Sequence, residues 1–85
     1  MMAEKDEIII RDKIKEIMDH DGEVRENEEL IEIFRTAYAR RDAGKPMREV
    51  ALALDKALAG YITSHDYVPD SITDLHQEMM QMSDI

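Results

Sequence analysis

The stretch "IKEIMDHDGEVRENEELIEIF", residues 14–34, sets Asp19, Asp21, Gly22, Glu23 and Glu28 between two runs whose apolar residues recur at helical spacing. Such an acidic helix-loop-helix is either a calcium loop or a turn between packed helices, and register separates the two. A calcium loop needs oxygen ligands at positions 1, 3, 5 and 12 and glycine at position 6. With Gly22 as that glycine, Asp19, Asp21 and Glu28 fall correctly, but Ile17 takes the first ligand position and Arg25 the ninth. With Asp19 first, Val24 replaces the glycine and Leu30 the bidentate glutamate. Each register loses an essential group, so the stretch reads as a helix-turn-helix connection, solvated, with Gly22 ending the first helix in the left-handed conformation. A degenerate calcium-binding loop at 19–28 is the lesser reading.

Outward from this turn the helical period continues in both directions, interrupted by "DHDGE", "AGKP" and "DYVPDS". The spacing predicts a first helix over roughly 5–20 with Ile10, Ile14, Ile17 and Met18 on one stripe. A second, over 26–42, is capped by Asn27, carries Glu28 and Glu29 in its first turn, and turns Leu30, Ile33, Phe34, Ala37 and Tyr38 inward. Gly44 stops it, and Pro46 suits the first turn of a third helix running to about His65. That helix reads as the central one, because Val50, Ala51, Leu54, Ala57, Leu58, Tyr61 and Ile62 dominate it. Ser71 with Asp74 resembles a capping box opening a fourth helix on the stripe Ile72, Leu75, Met79 and Met82. The expected fold is all-α: a small compact bundle of about four helices, one domain over 1–85, with dimerisation as a way to complete its core.

Eighty-five residues hide only roughly 60–65% of the surface their unfolded chain exposes, so the core is thin. Without cysteine there is neither a disulfide framework nor a thiolate site. The opening "MMAEKDEIII" fits neither a signal peptide nor a membrane span, which leads to an expected cytoplasmic location and no membrane contact.

The net charge of −9 is uneven: −7 over residues 1–34, +4 over 35–48 and −6 over 49–85. An acidic chain repels nucleic acid and favours basic partners. Asp19, Asp21, Glu23 and Glu28 form an acidic surface. Arg35, Arg40, Arg41, Lys45 and Arg48 form a basic patch suited to phosphate, the alternative function being a nucleic-acid-binding regulator. Against it, a reader helix following that junction would expose Glu49 and Asp55 amid apolar residues.

Catalytic patterns are weak. "SHD" at 64–66 names triad residues, but neighbours at a helix end are expected to point apart. His20, His65 and His76 lack the spacing of paired metal ligands. No metal, cofactor or small-molecule substrate is inferred.

Apolar residues off the core stripes carry more information. Leu52 falls near the middle of the third helix's polar arc with Ala59 beside it, Ile8 and Ile9 leave the stripe of Ile10, and Met80 leaves that of Met79. One exposed apolar residue is ordinary. Four, in a thin-cored chain with seven methionines, suggest contact with another chain. The expected function is a non-enzymatic protein-interaction module of adaptor, inhibitor or regulator type, a homodimer acting through Ile8, Ile9, Leu52 and Met80 flanked by acidic surface.

Overall fold

A computed structural model describes residues 4–81. Among these residues the chain forms five helices and no strand: α1 (Glu4–His20), α2 (Gly22–Arg25), α3 (Glu28–Asp42), α4 (Met47–Ser64) and α5 (Asp70–Met80). The four long helices are those the periodicity predicts. Together they make an all-α bundle about one core. Met82 lies outside the described residues.

The turn at residues 21–26 differs from expectation. Gly22 does not take the left-handed conformation; it opens α2, a single helical turn. Asp21 makes the break instead. Its backbone is extended, and its carboxylate accepts from the amides of Glu23 and Val24, which satisfies two donors that a helix start leaves orphaned. The turn then folds Val24 inward until nothing of it reaches solvent. A connection expected to be solvated thus supplies a core residue.

Other stops behave as the sequence implies. The Asn27 side chain accepts from Leu30 N–H at 3.1 Å, capping α3. Gly44, at φ +93°, is the only described residue with positive φ and ends the α3 register, a conformation that is strained for any residue with a Cβ. Pro46 sits one residue ahead of its expected place, as the residue before α4's first turn. At α5 the expected capping box is absent. The helix starts at Asp70 after Pro69, no side chain caps it, and the Ser71 hydroxyl is turned to Asp21.

The core is apolar throughout, with no buried polar or charged residue among those described. Ile10, Ile14 and Ile17 of α1, Leu30, Phe34 and Ala37 of α3, and Ile72, Leu75 and Met79 of α5 meet α4 residues Val50, Ala51, Leu54, Leu58 and Tyr61. Helix α4 contributes the most, as its composition predicts. Each fully buried Leu, Ile or Met contributes about 1.5–3 kcal/mol relative to leaving it in water.

Side-chain contacts fix the relative directions. Arg41 reaches Glu7 at 2.9 Å and the Arg11 guanidinium lies 5.6 Å from the Tyr38 ring centre, so α1 and α3 are antiparallel. Lys13–Glu78 at 3.1 Å and Ser71–Asp21 make α5 antiparallel to α1, and His76–Asp55 at 2.8 Å holds α5 against α4.

Candidate interaction surface

The four apolar residues set aside by the sequence are all exposed: Ile8 by 52%, Ile9 by 42%, Leu52 by 42% and Met80 by 64%. Their places follow from the helix contacts. Asp55 and His76 touch across α4 and α5, which run back along each other after a short connection. Leu52 lies about one turn before Asp55, and Met80 about one turn beyond His76. Antiparallel packing therefore sets Leu52 and Met80 level with each other on the outer side of the same helix pair. Ile9 precedes Lys13 by one turn on the α1 face that reaches Glu78, so it borders the other flank of α5. Ile8 is turned away from the core. Three of the four thus converge on the side of the bundle that α5 occupies, and all lie toward the end where α1 and α4 begin.

The Asp55–His76 contact beneath this face is one-fifth exposed or less on both sides. The His76 ring nitrogen lies 2.8 Å from the Asp55 carboxylate oxygen, an ion pair whenever the imidazole is protonated.

The acidic residues do not act as one cluster. Asp21 and Glu23 border an open groove of about 520 Å³ between the end of α1 and the start of α5, with Lys13, Glu16, His20 and Asp74 around it. Glu28 begins α3, and Asp19 is exposed on the last turn of α1. Ser71 donates a hydrogen bond that holds the Asp21 carboxyl below the ordinary carboxylate range, partly opposed by burial and helped by the Val24 and Glu23 amides. Tyr67 was not singled out by the sequence because it lies between helices, where no periodicity marks it. It is a large exposed side chain whose hydroxyl donates to Glu23, a bond that raises its pKa. Among the described residues no group of three or more His, Asp or Glu side chains could hold a metal ion.

The cations are likewise divided. Arg35 borders a groove between α1 and α3 and pairs with Glu32 at 3.4 Å, whereas Arg40 borders another between α3 and α4. Arg41 is held by Glu7 and by the Lys45 carbonyl, and Arg48 also has a partner. Arg35 and Arg40 thus border different grooves on the two flanks of α3.

Ser64 and His65 correct the expectation that they point apart. Ser64 Oγ lies 3.1 Å from His65 Nδ1, and His65 Nε2 lies 3.4 Å from Glu29 Oε1, so the acid nearest the ring comes from α3 rather than from Asp66. The hydrogen bonds oppose catalysis by this trio. His65 Nδ1 is 2.9 Å from the Tyr61 carbonyl, which requires a proton on that nitrogen, and Ser64 Oγ donates to the Gly60 carbonyl at 2.7 Å. The nitrogen facing the serine is then a donor and accepts no proton from it. His65 instead caps the packing by stacking on Tyr61, ring centres 3.9 Å apart.

No described helix is long and apolar enough to cross a membrane. No protein-family model matches the chain, and no curated protein or solved structure matches it either.

Proposed function

We propose that this chain is a non-enzymatic protein-interaction module that pairs with a second copy of itself through the α4–α5 face, with Leu52 and Met80 at its centre and Ile9 at its edge. The observation that carries this reading is the alignment of Leu52 with Met80 across two antiparallel helices. Each is exposed although the same helices bury their neighbours Ala51 and Met79 completely. Methionine adapts its shape to a facing surface, and a two-fold dimer lets one apolar patch meet its own copy.

Charge then sets selectivity. A chain of net charge −9 repels its copies at long range, so association depends on apolar contact and strengthens as salt screens the repulsion. A dilution series followed through the Leu52, Met80 and Ile9 methyl resonances tests this. Shifts at those methyls alone, growing with concentration, are the expected result.

A further inference from the structure

Given the dimer proposed above, on which this rests, we infer that the Asp55–His76 pair makes assembly through the α4–α5 face depend on pH. Each copy takes up a proton at the pair as the face is covered, and the dimer tightens as pH falls through the imidazole range.

Leu52, Asp55 and Ala59 follow one another along α4 at helical spacing, and Met80, His76 and Thr73 do the same along α5 in the opposite direction. The antiparallel packing that sets Asp55 against His76 therefore makes three levels: Leu52 with Met80, Asp55 with His76, and Ala59 with Thr73. Of these, the middle level alone carries charge, and it lies about one turn from the apolar centre of the face. A second copy that covers Leu52 and Met80 covers the pair as well.

The carboxylate oxygen and ring nitrogen that face each other are already closed to solvent, while the two side chains keep 20% and 17% of their surface exposed. That remaining surface hydrates the charge in the free chain, and a second copy removes it. With a neutral imidazole the pair is an uncompensated carboxylate, and covering it strips away water without replacement. The two-fold axis also brings up the same negative charge from the other copy. With a proton on the ring the pair has no net charge, and the lower dielectric strengthens the attraction between its halves. Covering therefore favours the protonated pair, and by linkage protonation favours covering.

The other charges near α5 lie on different flanks. Toward α1, Lys13 pairs with Glu78, and Glu16 and Asp74 border the groove beside Asp21. On α4, Lys56 borders the groove toward α3 with Glu29, Glu32 and Arg40, and Arg48 and Glu49 stand about two turns before Asp55. His20 borders the groove beside Asp21, and His65 stacks on Tyr61 where α4 ends.

The test is the dimer dissociation constant of the full chain, measured by sedimentation equilibrium from about pH 8 to about pH 5.5 at constant ionic strength. A fall of at least about tenfold toward the lower pH is expected. Asp55→Asn removes the charge and should hold the dimer near its low-pH strength throughout. His76→Gln removes the site of the proton and should hold it near its high-pH strength, both variants keeping the wild-type circular dichroism spectrum. The wild type alone gives a second reading: heats of dilution at about pH 7 should differ between buffers of different ionisation enthalpy, because dissociation releases the proton. A dimer whose strength ignores pH, equal heats in the two buffers, or a His76→Gln variant with the wild-type pH dependence would overturn the inference and leave the dimer standing. A wild type that is monomeric at every pH and concentration would overturn the dimer, and the inference with it.

Discussion

The Asp21 carboxylate accepts a hydrogen bond from the Ser71 hydroxyl across fifty positions of sequence. The same carboxylate caps α2, so one side chain ends α1, starts α2 and fastens the beginning of α5. Asp21→Ala should therefore cost about 1–2 kcal/mol, the usual loss of a cap with an added hydrogen bond, as measured by urea unfolding.

The bond also gives a sign to the acid dependence. Its carboxyl has a lower pKa in the folded than in the unfolded chain, so the folded state binds the proton less readily. The resulting stability is fully present above the ordinary carboxylate value of about 4 and is lost as pH falls through the lowered one. Asp21→Asn retains an oxygen for the cap. It should cost less than the alanine change and flatten this part of the acid limb of stability against pH.

Asn27 donates from Nδ2 to the Tyr61 hydroxyl at 2.8 Å while its own oxygen caps α3. Tyr61→Phe keeps the ring in the core but removes the acceptor, and should cost about 0.5–1.5 kcal/mol in thermal or chemical unfolding. Asn27→Ala loses both roles and should cost more.

The helices were legible in the sequence because their apolar period runs over three turns or more, and so were the stops at Asn27 and Gly44, whose chemistry is local. What escaped was short or distant. Helix α2 has a single turn and no period to detect, so Val24 looked like part of a solvated loop. Ser71 looked like a cap because its spacing to Asp74 is right, but its partner is Asp21, which only tertiary packing brings near. The four exposed residues Ile8, Ile9, Leu52 and Met80 were legible from angular position alone. That Leu52 and Met80 stand level required the Asp55–His76 contact. Arg35 is near Arg40 in sequence, yet the grooves they border lie on different flanks of α3, one toward α1 and the other toward α4.

For the basic segment, the division of its cations predicts no salt-sensitive mobility shift with duplex DNA at low ionic strength. A shift abolished by Arg40→Ala with Arg41→Ala would contradict this. Since Arg41 binds Glu7, that variant's stability should be measured alongside.

Calcium is tested directly by calorimetry. Asp21 is engaged by two amides and a hydroxyl, and residues 22–25 form a helical turn where a loop would have to wrap the ion. A flat titration is expected.

The most direct measurement is solution mass by size-exclusion light scattering across a concentration series, for the wild-type chain and Leu52→Glu. A concentration-dependent dimer is expected for the wild type and a helical monomer for the variant, because a carboxylate at the centre of the face cannot be buried against its copy without a partner. A wild type that stays monomeric at every concentration, or a variant that dimerises as well as the wild type, would contradict it.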